Sequence, residues 1–293
     1  MPTPRAHYAL RRTLVSWKFD AALEELLRFC REATVDEVIL KCDTEEFSHG
    51  IPTVEWLRGY QPLLMRARDA LRGMGVEYSL NPWVTQGHID RGRDIRDVFP
   101  GMRMQVGHDG AEARAQACPL CDVWQAHTAQ LWTLYAETRP HVIWVEDDIR
   151  TFNHLPVRYG CFCAEHLRRF SARAGEPVAR AALVGALLAP GAPHPWRALW
   201  LELQAEVMMD TVRFLQETVH AASPETCLGL MSSGPDAHAL EGRRWREFGA
   251  ALAGPTPLYS RPPLGSYDEA SLRGLYYTAR SIKQTRHSLP GAV

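Results

Sequence analysis

Short β-branched, apolar runs alternate along the chain with longer stretches whose apolar positions recur at helical spacing, and this alternation persists for nearly all of the 293 residues. The spacing predicts a first strand over Thr13–Trp17 and an amphipathic helix from about Asp20 to Ala33, with Leu23, Leu26, Leu27 and Cys30 on one face. Asp36–Cys42 reads as a second strand, followed by a polar loop from Asp43 to Gly50 and a long helix from about Thr53 to Met74 with Pro52 at its start. Val76–Trp83 is the third strand. The stretch after it, which runs for more than about thirty residues, is too long for a plain connection, so it is either functional or misread. A helix from about Val123 to Thr138 leads to a fourth strand, His141–Val145, and a helical pattern covers Glu165–Ala174. An Ala/Pro/Gly-rich connection, 175–195, reads as an excursion at the rim. Beyond it come a helix over Trp196–Ala222, a fifth strand at Cys227–Met231, helical residues Leu240–Ala253, a short sixth strand at Thr256–Tyr259 and a last helix from about Glu269 to Thr285.

About six βα units in this order predict an α/β fold with a parallel sheet and its helices outside. No Gly-x-Gly-x-x-Gly follows any strand, which removes the dinucleotide-binding version. The expectation is a single domain, residues 1–293: a TIM-type (β/α) barrel that is incomplete, with its last strands missing. Two open strand edges would then need cover, so self-association through them is expected.

In such a fold the loops at the C-terminal ends of the strands build the active site. The fourth strand ends in three acids, Glu146, Asp147 and Asp148, and crowded like charges raise one pKa, which suits a general acid. The preference falls on Asp147, then Asp148, then Glu146; the competing reading is a solvated loop start, or pairing with Arg150 and Arg158. Trp17, Asp43, Asn81, Trp83, Arg150, Ser232, Arg261 and Tyr267 lie near strand ends and combine aromatic platforms with short polar and charged groups, as a sugar site does. His49, His88, His108 and His154 fall on loops of the same face and read as ordinary polar residues; a metal-dependent hydrolase built on His108, Asp109 and the acids is a weaker alternative. Cys161, Cys163 and His166 sit close enough in sequence to converge on one ion, and a soft S/N set of this kind suits zinc.

Composition narrows the partners. With 33 Lys and Arg against 34 Asp and Glu, scattered through the chain, there is no electrostatic footprint for nucleic acid or an anionic membrane. No run approaches the ~18 apolar residues of a membrane span. The N-terminus has no apolar signal core, so a cytoplasmic address is expected. Seven cysteines, an odd number, argue for thiols or metal ligands over a disulfide framework.

The stretch from His141 to His166 resembles the clan-A glycoside hydrolases, and among them the family-42 β-galactosidases. Cys161-Phe-Cys163-Ala-Glu-His166 is similar to the family's Cys-x-Cys-x-x-Cys segment, with His in the last place, and Cys118-Pro119 to the Cys-Pro motif after its third strand. The resemblance implies a structural zinc on Cys118, Cys161, Cys163 and His166, with Cys121 able to replace Cys118. It also implies a carbohydrate ligand and an acid/base carboxylate at the end of strand four, acting on a β-linked sugar. Two departures stand out. The family's Asn-Glu pair is replaced by Val145-Glu146-Asp147-Asp148, and its strand-seven nucleophile would fall about where the sequence stops, at Val293. The alternative expectation is therefore a catalytically silent carbohydrate-binding barrel.

Overall fold

A computed structural model describes residues 6–42, 51–88, 92–234, 236–263 and 269–293. Asp43 and Tyr267, both expected at the site, lie outside the described residues. The chain runs β1 (Ala9–Thr13), α1 (Phe19–Glu32), β2 (Glu37–Cys42), α2 (Val54–Arg72), β3 (Glu77–Pro82), β4 (Met104–Val106), β5 (Glu112–Ala117), α3 (Asp122–Glu137), β6 (Val142–Val145), α4 (Ala164–Ala174), α5 (Arg180–Leu188), α6 (Trp196–Ala222), β7 (Cys227–Met231), α7 (Trp245–Ala253), β8 (Leu258–Arg261) and α8 (Leu275–Ser288). Six strands form one sheet in the order β1-β2-β3-β6-β7-β8, every pair parallel. Among the described residues no ladder joins β8 back to β1, so this is an open, incomplete barrel.

Strand periodicity assigns the two faces. Val38, Leu40, Tyr78, Leu80, Ile143, Val145, Leu228 and Leu230 point outward into one large core with the helix faces, among them Leu23 and Leu26 of α1, Leu57 and Leu64 of α2, and Met208 and Leu215 of α6. The alternate positions, Ile39, Val142, Trp144, Cys227, Met231 and Tyr259, form a smaller cluster on the concave face. Gly229 sits on that face because the Trp144 indole lies against it; a Cβ there would fall 2.6 Å from a ring carbon.

Helix boundaries follow local chemistry. Thr53 caps α2 by accepting the Trp56 N–H at 3.2 Å, and α6 spans the range its apolar spacing predicts. Several expectations shift, among them the sixth strand, which is Leu258–Arg261 and not Thr256–Tyr259, and the last helix, which begins at Leu275 after a 3-10 stretch from Glu269. The first strand is Ala9–Thr13, not Thr13–Trp17, because it pairs in register Ala9↔Glu37 to Thr13↔Lys41; Trp17 falls on the following 3-10 turn and is 64% exposed. The long stretch after β3 contains the antiparallel hairpin β4–β5. The rim excursion contains a helix, α5, whose Leu183 is fully buried against Phe170 and Trp200 in a second, satellite core. No helix among the described residues is long and apolar enough to cross a membrane.

Candidate functional site

At the C-terminal mouth of the sheet the concave positions turn polar: Arg11 on β1, Lys41 on β2, Asn81 on β3, Glu146 just past β6 and Arg261 on β8. Glu146 is their meeting point and is only 3% exposed. Its Oε2 accepts from Arg11 at 3.1 Å and from the Asn81 amide at 3.1 Å, while the Arg261 guanidinium lies 3.9 Å from Oε1. Asn81 also accepts from Arg11 and donates to the Trp144 carbonyl at 3.1 Å, which fixes which end of its amide faces Glu146. The Asn and Glu that the sequence does not place side by side are thus brought together across two strands. Trp83 lies beside them, with the Lys41 ammonium 4.3 Å and the Arg11 guanidinium 4.8 Å from its ring centre.

The next two acids are engaged by the neighbouring loops. Asp147, half-buried, accepts from His88 at 3.0 Å and from the Ser233 hydroxyl at 2.9 Å, and pairs with Arg150 at 3.4 Å. Burial pushes its carboxyl up, but the His88 hydrogen bond and the Arg150 charge outweigh this and hold it below the usual range. Arg150 also donates to Ser233 at 2.8 Å and to His154 at 3.0 Å. Since that His154 nitrogen accepts, the imidazole is neutral, in keeping with the burial that pushes its pKa well down.

Asp148 is fully buried. Its Oδ2 accepts from three successive backbone N–H groups, Thr85 at 2.6 Å, Gln86 at 2.7 Å and Gly87 at 2.9 Å, which ties the β6 loop to the β3 loop. Only glycine fits at position 87: its φ is +118° and a Cβ would collide with the Ala115 carbonyl. Burial raises the Asp148 carboxyl to about 6 against the pull of the His88 charge and those amides. The β4–β5 hairpin supports the same loop from below, Gln116 donating to the carbonyls of Asp148 and Arg150 at 3.0 Å and Gln105 to Arg150 at 2.8 Å.

A buried ion cluster braces the loop from its other side. Glu241, fully buried, forms an ion pair with Arg243 at 2.5 Å and accepts from its Nε at 2.7 Å, from His238 at 2.9 Å and from the Thr151 amide at 3.2 Å. Arg243 in turn donates to the Ile149 carbonyl at 2.6 Å.

The second constellation is Cys118, Cys161, Cys163 and His166, all buried, with their ligand atoms within 4.8 Å of one another. Such a soft, four-donor cluster could bind a metal ion. Protons compete for it: burial and the two neighbouring cysteines push the Cys118 thiol up, hydrogen bonds from Cys118 and Cys161 pull Cys163 down, and His166, which burial alone would lower, is raised to about 9 by Cys161. Cys121 stands outside the cluster and accepts from the Arg103 amide at 3.1 Å.

The structure therefore gathers Glu146, Asn81, Trp83 and Arg261 at one mouth and puts Asp147 and Arg150 in the adjoining loop. Ser232 is buried and continues the strand ladder, its N–H donating to the Arg261 carbonyl at 3.1 Å, and Trp17 is out on its exposed turn. Arg11, Lys41 and Ser233 escape a reading by sequence. Lys41 carried a signal, a lone charge inside the run Glu37-Val-Ile-Leu-Lys-Cys42.

No known family model and no curated protein matches this sequence. Solved structures do resemble it. The β-galactosidase of Bacillus circulans sp. alkalophilus aligns with a TM-score of 0.61 at 12% identity, over 97% of this chain and 43% of its own. That of the Antarctic haloarchaeon Halorubrum lacusprofundi gives 0.56 at 16% identity, over 88% of this chain and 40% of its own. The likeness is one of fold. The catalytic domain of a Paenibacillus polymyxa β-amylase gives 0.59 at 9% identity, over 96% of this chain and 83% of its own. The chain thus shares the barrel architecture of these three proteins, and it spans 40% and 43% of the length of the two β-galactosidases.

Proposed function

We propose that the mouth of this barrel binds a β-linked sugar and that Glu146 is its proton-transferring carboxylate. The observation that carries this is the placement of Glu146: of the three acids, it is the one on the concave face, buried and oriented by Asn81 and Arg11. Asp147 and Asp148 are spent on loop contacts, so the order of preference among the acids moves to Glu146. The fold shared with β-galactosidases supports a glycoside as ligand. Hydrolysis of aryl β-glycosides by the purified chain tests the proposal. A general acid/base contributes about 10²–10⁴-fold, so Glu146→Gln should lower turnover by that order while Asp148→Asn should not. Equal activity in wild type and Glu146→Gln would overturn it.

The partners of Glu146 favour a second reading, the silent carbohydrate-binding barrel. A retaining glycosidase sets two carboxyl groups about 5–5.5 Å apart. Among the described residues, the side-chain partners of Glu146 are two guanidiniums and an amide. Saturable sugar binding with no turnover selects this reading.

For the Cys/His cluster the reading is a structural zinc. A tetrahedral ion with Zn–S near 2.3 Å and Zn–N near 2.0–2.1 Å has edges of roughly 3.8 Å between sulfurs and 3.6 Å from sulfur to nitrogen. The structure has Cys118–Cys163 at 3.7 Å, Cys118–His166 at 3.6 Å and Cys163–His166 at 3.2 Å. Four protein ligands leave no open position, so the ion would hold the β5 end to the start of α4 and take no part in catalysis.

A further inference from the structure

Two guanidiniums reach Glu146 from opposite edges of the open sheet, Arg11 from β1 at 3.1 Å and Arg261 from β8 at the looser distance of 3.9 Å. Arg11 is well engaged, with Asn81 and Glu146 both accepting from it. Arg261 is not. A guanidinium carries five N–H donors in a rigid fork. Those of Arg261 make one long hydrogen bond, 3.5 Å to the Pro262 carbonyl, and a loose 3.9 Å ion pair. Among the described residues its Nε is buried without a hydrogen-bond partner, while 27% of the side chain is exposed. A buried, unspent donor on a charged group is costly unless something accepts from it. The group that best fills a guanidinium fork is a planar or tetrahedral oxyanion, which accepts from two N–H groups at once.

We infer that the sugar taken at this mouth carries an oxyanion, gripped by the fork of Arg261 and flanked by Arg11. The shared chemistry is that of a uronic acid carboxylate or of a sugar phosphate. Trp83, with the Lys41 ammonium 4.3 Å from its ring centre, stands beside this pair and offers an apolar face on which a sugar ring could lie. This inference rests on the carbohydrate reading of the mouth and makes Arg261 a specificity determinant.

The test is calorimetric titration of the full chain with galacturonate, galactose 6-phosphate, neutral galactose and inorganic phosphate, repeated on Arg261→Met and Arg261→Lys. Met keeps much of the stem's bulk without charge; Lys keeps the charge without the fork. At least one anionic sugar should bind roughly tenfold or more tighter than galactose. That preference should vanish in Arg261→Met and survive only in part in Arg261→Lys; which of the two anions wins identifies the source. Galactose binding as tightly as both anions, or a preference that persists in Arg261→Met, overturns the inference and spares the carbohydrate reading. Inorganic phosphate binding that depends on Arg261, with no sugar bound, keeps the oxyanion clamp and overturns the carbohydrate reading. Failure of all four ligands to bind overturns both.

Discussion

Removing the Glu241 carboxylate exposes how much the candidate site depends on a cluster that touches no ligand. Glu241→Ala deletes the ion-pair partner and hydrogen-bond acceptor of Arg243, and the acceptor of the His238 bond and of the Thr151 amide bond. Arg243, whose side chain is 1% exposed, keeps the Ile149 carbonyl and the face of Phe248, 4.2 Å away, but has lost its counter-charge. Breaking a buried pair from one side costs about 3–5 kcal/mol, because the remaining charge is stranded. The lost Thr151 bond places this variant in the upper part of that range. Urea unfolding followed by far-UV circular dichroism measures it as a fall in midpoint at unchanged slope. The double variant Glu241→Leu, Arg243→Met removes both charges and should recover most of the loss, since an apolar replacement of a whole buried pair is often near neutral. A cost below about 1 kcal/mol for Glu241→Ala, or a double variant no better than the single, would refute the assignment of a stranded charge.

Three further outcomes follow from other parts of the structure. Burial and the Arg243 charge push His238 down to about 4 despite its bond to Glu241. Its unfolded value is near 6.5, so the unfolded chain binds the extra proton; the stability this group contributes is present above about pH 6.5 and is lost as pH falls towards 4, on the order of 3 kcal/mol. Asp148, raised to about 6, acts in the opposite sense over part of the window, so His238→Gln should flatten or reverse the acid slope between pH 6.5 and 4 in unfolding midpoints. An unchanged slope would remove His238 from the account. Zinc proposed for the Cys/His cluster should appear as one ion per chain in native mass spectrometry and be lost in Cys163→Ser or with a strong chelator, and its loss should speed amide exchange around α4 and α5, whose satellite core includes the same cysteines. Gly229→Ala should cost about 1–3 kcal/mol through the clash with the Trp144 ring, and Trp144 fluorescence should shift with it. A neutral effect would mean that the indole can move aside.

Much of the architecture is legible in the sequence because it depends on local spacing. Runs such as Val142-Ile-Trp-Val145 are apolar on both faces, the mark of parallel strands with a helix layer outside, and α6 reads directly from its apolar period. β1 does not read this way. It is an edge strand whose Arg11 and Arg12 belong to different faces, so the apolar run one turn later, Leu14-Val15, draws the assignment away. The hairpin β4–β5 is hidden for a related reason: Gln105 and Gln116 are buried for their hydrogen bonds to the β6 loop, not for apolar surface.

The site divides along the same line. Sequence spacing alone determined that two cysteines and a histidine lie within a few residues of each other at the start of α4, and that three acids close strand β6, since both facts are local. The partnership of Cys118 with that cluster is a tertiary contact, matching the expectation that came with the family resemblance. Which of the three acids faces the concave side was settled only by the fold. Where both faces of a strand are apolar, period two separates Glu146 from Asp147 but does not say which face is inside. The meeting of Arg11, Asn81 and Arg261 on Glu146, from strands β1, β3 and β8, is likewise a product of sheet order and curvature, which bring together residues as far apart as positions 11 and 261 along the chain.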